Sequence, residues 1–331
     1  MYKRQALLRL VRVFPMLVHD AVSALRAYGE AISHERRGQG ALITLLLEAA
    51  LSDEPRERSG ALQCLVPLDL TELEFPPALW LALHSSEAAV AQQIWDENAL
   101  DVPPEYVSAL VPLLSHAHAY VRAATAPAMG AACAVHPDTL STLLDALWQL
   151  YASQTYSLEP EYDQYGMVIE STLHREDPWP VRLAVAHTLQ ALAPQFRAQD
   201  VVPFFQLALQ RHAALSDRDE RVRHAMLAAA TAVVDARGAD VRTELLALLE
   251  QSVESGDDAV TEAAVVLLGR AAQHLAPSDP HVRRVVDRLL DALRTPSEMV
   301  QEAVASCLPP LVRTEVVACD IRAITDALFF D

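Results

Sequence analysis

The chain has 331 residues, 52% of them hydrophobic but only 6% aromatic, with 9 glycines and a formal net charge of −18. That is enough apolar material for a large core, and its concentration in Leu, Ala and Val favours helices over a sandwich or barrel. The acidic balance excludes a general nucleic-acid binder, which carries a basic face, and no run of about 18 apolar residues marks a membrane span.

The first stretch, "MYKRQALLRLVRVFPMLVHD", carries Lys3, Arg4, Arg9 and Arg12 before its first acid, Asp20. Its composition is that of a transit peptide. The apolar pattern continues past it without a break, so it reads as the first amphipathic helix of an array that begins inside a longer chain. "EPRERSGALQCLVPL" and "SSEAAVAQQIWDEN" follow as degenerate second helices, and "PPALWLALH" and "PPEYVSALVPLLS" as first helices. Charge shifts along the way. Residues 1–58 hold 9 basic and 7 acidic side chains, residues 59–174 hold 14 acidic and only Arg122, and residues 175–331 hold 16 basic and 23 acidic. The middle section repels bare phosphate at long range.

His116 and His118 form an H-x-H pair in the turn before the next helix. No Cys, Asp or Glu falls between Glu105 and Cys133, so the pair does not read as a metal site. From here five segments align: "AYVRAATAPAMGAA", "WPVRLAVAHTLQAL", "ERVRHAMLAAATAV", "DAVTEAAVVLLGRA" and "EMVQEAVASCLPPL". Their shared valines are Val121, Val181, Val222, Val260 and Val300, at separations of 60, 41, 38 and 40 residues. Each segment follows a turn of Asp, Ser or Pro. Each of the three from Val181 to Val260 leads, after another turn, into a second apolar helix: "DVVPFFQLALQRH", "ADVRTELLALLEQ" and "PHVRRVVDRLLDAL". The later periods are those of HEAT-type repeats, about 40–47 residues. One hairpin cannot bury both apolar faces, so neighbours stack. The expected fold is an all-α HEAT-repeat solenoid over 1–331, less regular in 1–118.

The first separation is too long, and the excess lies in "ASQTYSLEPEYDQYGMVIESTLHRED", residues 152–177. This acidic insertion carries Tyr156, Tyr162 and Tyr165, with Tyr151 beside it. Insertions between repeats form loops on one face, often a contact face. It reads either as a partner-binding loop or as a solvated loop with its tyrosines folded back. Arg218, Arg221 and Arg223 cluster at one hairpin turn, and Arg283, Arg284 and Arg288 lie on a neighbouring helix. Equivalent positions of a solenoid share a ridge, so these arginines are candidates for a basic contact stripe. The alternative is a set of salt bridges with Asp217, Asp219, Glu220 and Asp287.

The last repeat begins with a strong start signal. Thr295 is placed to cap, Pro296 to open the helix and Glu298 to complete a capping box. Met299, Val300, Ala303, Val304 and Cys307 then mark one face. Pro309 and Pro310 are expected to end the helix near Leu308, so that the chain turns into the next hairpin.

No chemistry emerges. There is no phosphate loop, dinucleotide turn, nucleophile elbow or zinc-protease pair. Cys64, Cys133, Cys307 and Cys319 form no C-x-x-C pair and read as small core residues of a protein kept in a reducing compartment. Trp80, Trp95, Trp148 and Trp179 are too dispersed for a base-stacking platform and read as core anchors. A non-enzymatic chain without cofactor or metal is expected.

Three stretches go beyond the generic repeat: "IWDENALDVPPEYVSALVPLL", "SDRDERVRHAMLAAATAVV" and "LAPSDPHVRRVVDRLLDALRTPSEMVQEAVASCLPPLV". They resemble the large HEAT-repeat family called the general control non-derepressible translational activator, over about Trp80 to Val312. Residues 1–79 fit loosely, and "RTEVVACDIRAITDALFFD" departs from the family's pattern. The resemblance implies a cytoplasmic scaffold on translating ribosomes. Such a scaffold works with an ATP-binding-cassette partner, senses stalled ribosomes and helps activate the general control kinase in the stress response. The matching part lies before the family's elongation-factor-three-like repeats, and the kinase-binding region lies farther on. No kinase-contact residue therefore carries over, and the implied contact here is with the ribosome, through ribosomal proteins rather than rRNA. No membrane and no direct DNA contact is implied. The competing reading is an unrelated HEAT adaptor, such as a nuclear transport receptor or a phosphatase scaffold.

Overall fold

The structure is a computed structural model and describes residues 36–159, 176–275, 279–294 and 296–312, together with residues 20, 23, 24, 27, 164–167 and 169. The expected N-terminal helix, Thr295 as a cap, Cys319 and the tail after Val312 lie outside the described residues. Among the described residues there are helices and turns but no strand. They fall into two compact units, residues 1–147 and 148–331.

The first unit contains α1 (Arg36–Ala49), α2 (Pro55–Leu65), α3 (Pro77–Leu83), α4 (Ala88–Glu97), α5 (Ala119–Val135) and the start of α6 (Leu140–Ser153). α1 packs on α2 and α3, α2 on α4, and α3 on α4 and α5. Leu42, Leu46, Leu62, Leu65, Leu79, Ile94, Val121 and Met129 are buried between them, each large side chain contributing roughly 1.5–3 kcal/mol. Trp80 and Trp95 anchor this core with ring centroids 5.3 Å apart, and the buried indole N–H of Trp80 donates to the Ala128 carbonyl at 2.9 Å. The "PPEYVSALVPLLS" stretch is not the α-helix its pattern predicts. It forms two 3-10 segments, Pro104–Tyr106 and Ser108–Ser115. Pro112 sits inside the second and has no N–H for an α-helical ladder.

The second unit is regular. It contains α7 (Trp179–Leu192), α8 (Ala198–Gln206, continued by a π-helical turn at Leu207–Arg211), α9 (Glu220–Arg237), α10 (Arg242–Val253), α11 (Asp258–Ala272), α12 (Pro280–Ala292) and α13 (Glu298–Val312). Like packs on like: α7 on α9, α9 on α11 and α11 on α13 in one row, α8 on α10 and α10 on α12 in the other. α10 meets α11, and α12 meets both α11 and α13. These are stacked hairpins with a shared core, as the period predicts. Asp219, Asp257 and Asp279 each cap the helix that follows by accepting its first free N–H groups.

Of the aligned valines, Val121, Val222 and Val300 are fully buried and Val260 nearly so. Val181 is half-exposed, and the residue after it, Arg182, is buried instead. That exception marks the repeat next to the insertion.

Two expectations about the last helix are corrected. α13 begins at Glu298, not at Pro296, because Ser297 holds the cap position: its carbonyl accepts from the Gln301 N–H at 3.1 Å. Ser caps as well as Thr, and Glu298 then lies in the first turn, where the helix dipole favours it. The helix also runs through Pro309 and Pro310 to Val312. Pro309 is exposed, while Cys307, Leu308 and Leu311 on the inner face are buried. The carbonyls that lose a donor, on Ala305 and Ser306, belong to exposed residues that water can reach. The burial of the inner face therefore outweighs the lost bonds. Pro127 in α5 and Pro203 in α8 are also interior to their helices and also exposed.

Cys64, Cys133 and Cys307 are buried. Cys307 explains why position 269 is glycine. A Cβ on Gly269 would come within 2.5 Å of the Cys307 Cβ and 2.7 Å of its Sγ, so α11 and α13 approach through a missing side chain.

Candidate functional site

The two limbs of the insertion close onto a polar cluster in the second unit. α6 ends at Ser153 and α7 begins at Trp179, so the insertion leaves and re-enters between two helix ends. Its central residue is Arg182, whose side chain is fully buried. All five guanidinium N–H groups are used. Nε and Nη2 donate to the two Asp217 oxygens at 2.7 and 2.9 Å. Nη1 donates to the Gln154 carbonyl at 2.9 Å and to Asp177 Oδ1 at 2.6 Å, and Nη2 also reaches Asp177 Oδ2 at 3.3 Å. One nitrogen therefore joins the outgoing limb at Gln154 to the returning limb at Asp177.

Neighbours complete the cluster. The Tyr151 hydroxyl, buried, donates to Asp217 Oδ2. Arg218 pairs through Nε with Asp177 Oδ2 at 3.2 Å and donates from Nη1 to the Tyr156 carbonyl at 3.1 Å. Tyr156 donates its hydroxyl to the Glu176 carbonyl at 3.0 Å, a second tie between the limbs. Arg223 Nη1 donates to the Asp217 carbonyl at 2.9 Å. Arg182 and Arg218 are matched by Asp177 and Asp217, while Arg223 donates to a carbonyl and leaves the cluster with one positive charge to spare. A buried ion network of this kind holds only when its donors and acceptors are matched in this way.

The electrostatics follow the geometry. Burial works against charge on Arg182, but its bonds to Asp217 and Asp177 outweigh that and raise its pKa. Burial also pushes the Asp177 carboxyl up, and the Arg182 bond and charge reverse this to a net lowering. Burial, then the bond to Asp217, pushes the Tyr151 phenol well above its ordinary range. The shifts of Arg182, Asp177 and Tyr151 all lead away from neutrality. The arrangement suits holding two chain segments together, not acid–base work.

Each candidate contact residue has a place. Arg218 and Arg223 belong to this neck. Arg221 is exposed at its edge, with its guanidinium 3.4 Å from the centre of the Trp179 ring and 2.7 Å from Asp219. Trp179 is thus a half-exposed platform for Arg221, unlike the three buried tryptophans. Arg284 pairs with Glu250 on α10 at 2.5 Å, and Arg283 is exposed on the same helix. Each arginine group therefore bonds within its own neighbourhood. Tyr156 is 40% exposed and Tyr165 80% exposed; Tyr162 lies outside the described residues.

Sequence reasoning missed Arg182, Asp177 and Tyr151 as one unit. The usable signal was the V-R pair at 181–182, shared with Val121–Arg122 and Val222–Arg223. Arg122 and Arg223 both donate back to carbonyls five and six residues earlier. It also missed Asp53. Its carboxylate accepts from the Tyr120 N–H at 2.8 Å and bonds His118 Nδ1 at 3.1 Å, which caps α5 from a distant turn. Among the described residues no group of three or more His, Cys, Asp or Glu side chains is placed to hold a metal ion. Nor is any helix there long and apolar enough to cross a membrane.

Comparison with known proteins bears on this architecture. Residues 70–273 match a family model described as "Stalled ribosome sensor GCN1, HEAT repeats". The chain is 35% identical over 242 residues to the stalled ribosome sensor GCN1 of Homo sapiens, covering 71% of this chain and 9% of that protein. It is 32% identical over 315 residues to the protein of the same name in Mus musculus, covering 90% of this chain and 12% of that one. It is 32% identical over 250 residues to the eIF-2-alpha kinase activator GCN1 of Saccharomyces cerevisiae, covering 72% and 9%. The chain thus spans about a tenth of the length of these relatives. A match at this level over most of the chain sets aside an unrelated HEAT adaptor. The chain belongs to the GCN1 HEAT-repeat family.

Proposed function

We propose that this chain is a non-enzymatic, cytoplasmic scaffold segment of a ribosome-associated activator in the translational stress response. The observation that carries the reading is how the arginines beside the insertion are used. Arg182, Arg218 and Arg223 bond to Asp177, Asp217 and backbone carbonyls of the chain itself. The chain as a whole carries a formal net charge of −18, and that favours ribosomal proteins over rRNA as the surface touched. The stacked hairpins and the relatives' names, a sensor of stalled ribosomes and a kinase activator, agree with this role.

On this reading the two units belong to one continuous array. The ATP-binding-cassette partner and the general control kinase engage other parts of the full-length protein. Arg221, Arg283, Tyr156, Tyr162 and Tyr165 are the candidate contacts of this segment, with Arg218, Arg223 and Arg284 supporting them. The test is sedimentation of the intact parent, and of this segment, on polysome gradients at low and moderate salt. The expected result is that the parent co-migrates with ribosomes and that binding by the segment weakens with salt. A parent that stays at the top of the gradient overturns the reading.

A further inference from the structure

The corner between α10 and α11 is made of Glu254, Ser255, Gly256, Asp257 and Asp258, and all five are exposed. Gly256 turns the chain with a φ of +78°, and nothing lies within 4 Å of the place a Cβ would take. Ser255 beside it is held loosely: its Oγ accepts from the Asp257 N–H at 3.3 Å. This serine is an accessible nucleophile, not a core contact.

Carboxylates flank that hydroxyl. Glu254 precedes it, and Asp257 and Asp258 follow two and three residues on. No Lys or Arg falls between Arg242 and Arg270. Glu254 is bonded to Arg288 of α12 at 2.6 Å, and Asp257 caps α11. Asp258, exposed in the first turn of α11, is the carboxylate presented outward. An enzyme that acts on this serine therefore needs cations beside its substrate groove, and one with an acidic groove is repelled.

Acid spacing alone does not select the residue. Thr71 and Ser216 also have a carboxylate three residues on. The Thr71 hydroxyl donates to Asp69 at 2.6 Å, and Glu74 accepts from the Tyr106 hydroxyl. Ser216 donates to the Ala213 carbonyl at 3.2 Å, Asp217 is buried against Arg182, and Asp219 is bonded to Arg221 with its side chain only 14% exposed. At those two places the hydroxyl and its acids are already engaged by the fold. At the α10–α11 corner both Ser255 and Asp258 face solvent.

We propose that Ser255 is a phosphorylation site for an acid-directed serine/threonine kinase, with Asp258 as the residue that sets its specificity. The Ser255 Oγ attacks the γ-phosphorus of a nucleoside triphosphate. The Oγ–P bond forms as the bond from that phosphorus to the β–γ bridging oxygen breaks. The hydroxyl proton passes to the kinase's catalytic carboxylate, and the nucleoside diphosphate leaves. The corner opens for this at the helix ends that flank it, Val253 and Asp258, where backbone bonds fray at low cost. None of this depends on ribosome contact.

The test incubates the folded full chain with labelled ATP and an acid-directed serine/threonine kinase, and maps the phosphoryl groups by mass spectrometry. Label on Ser255 is expected, and Ser255→Ala should lose that part of it. Asp258→Asn keeps a polar residue in the first turn but removes one charge-assisted contact, and should lower kcat/KM at Ser255 roughly tenfold. Unchanged thermal melts of both variants show that neither effect is unfolding. A kinase that requires arginine before its serine should leave Ser255 unlabelled. Absence of label on Ser255 overturns the proposal, as does an unchanged rate in Asp258→Asn. A chain labelled there only after heat denaturation overturns it too, because the fold then holds the corner shut.

Discussion

The two units hold repeat to repeat with different side chains. In the second unit the rungs are arginines, and their partners lie about one repeat away in sequence. Arg182 reaches Asp217, Arg270 reaches Asp235, Arg242 reaches Asp279, Arg288 reaches Glu254, and Arg237 reaches the Phe196 carbonyl, at separations of 34 to 41 residues. Among the described residues of the first unit that spacing is not carried by arginines: the Tyr120 hydroxyl donates to Ser85 across 35 residues and His136 Nε2 donates to the Val102 carbonyl across 34, and the other ties fall outside it. Arg58 reaches Glu87 across 29 residues, Trp80 reaches Ala128 across 48, and Asp53 caps Tyr120 across 67. A regular sequence period gives regular rungs. Where the period degenerates, individual aromatic and polar contacts hold the helices in place of a repeating pattern. The helix caps differ in the same way, being local in the second unit and supplied from a distant turn at α5.

The comparison breaks most sharply at Arg182, the one rung that is fully buried. Arg182→Leu leaves the buried Asp217 carboxylate without its arginine, and Asp177 with Arg218 alone. The expected cost to the second unit is about 3–5 kcal/mol. Most other rungs are well exposed, and removing one costs about 0–1 kcal/mol. Urea unfolding gives the total loss. Hydrogen exchange read peptide by peptide should locate it in α7, α9 and the limbs of the insertion, with peptides of α2–α4 unchanged. A loss no larger than that of Arg288→Leu would remove the distinction between the buried rung and the exposed ones.

The next effect is at the α11–α13 contact. Gly269→Ala places a methyl group inside the radius of Cys307, and overpacking of this kind costs roughly 1–3 kcal/mol. Gly256 has a positive φ of 78° but open space around it. Gly256→Ala there strains the backbone without a clash, so the two substitutions separate packing from conformation. Thermal melts of both variants make the comparison, with Gly269→Ala expected to lose more.

The period, the turns and the apolar faces made the second unit legible before any coordinates. Asp257, which caps α11, sits in the turn of Asp and Ser that precedes "DAVTEAAVVLLGRA". The neck was not legible, because its members are scattered over Tyr151, Gln154, Asp177, Arg182, Asp217 and Arg218, and nothing local pairs them. The signal at Arg182 was ambiguous too: the same V-R pair gives a half-buried arginine bonded to its own turn at 122 and 223 and a buried one at 182. The second partner, Asp217, makes the difference, and it is a full repeat away. The helix ends were misread for a related reason. Proline stops a helix only where the lost bond cannot be replaced, and whether Pro309 faces water depends on packing.

Caps give the third, smaller effect and place the two units side by side. Asp257→Ala removes a local cap from α11, and Asp53→Ala removes the distant cap from α5. Each is expected to cost about 1 kcal/mol. Their reach should differ. Loss of Asp257 should loosen the first turn of α11 alone. Loss of Asp53 should expose amides at both ends of its contact, near Ser52–Glu54 and near Tyr120, because it also frees His118. Equal, purely local exchange in both variants would mean that the distant cap does no more than a local one.

The smallest effect is one of pH, at His84 in the first unit. Its Nε2 is buried without a hydrogen-bond partner, its ring lies edge-on to Trp80 at 4.8 Å, and burial lowers its pKa from 6.5. A base whose folded pKa is depressed binds its proton more readily in the unfolded chain. Its neutral form therefore costs the fold nothing above the unfolded value, and stability is lost as pH falls below about 6.5. The Asp177 carboxyl in the second unit behaves as the acid counterpart. Its lowered pKa gives stability that persists above the unfolded value near 3.9 and is lost only below it. Between pH 7 and 5 the substitution His84→Phe should flatten the decline of the first unit, as reported by exchange in α3 and α4, and leave the exchange of the neck amides as it was. A decline of equal slope in the variant would show that protonation of His84 is not what the first unit resists.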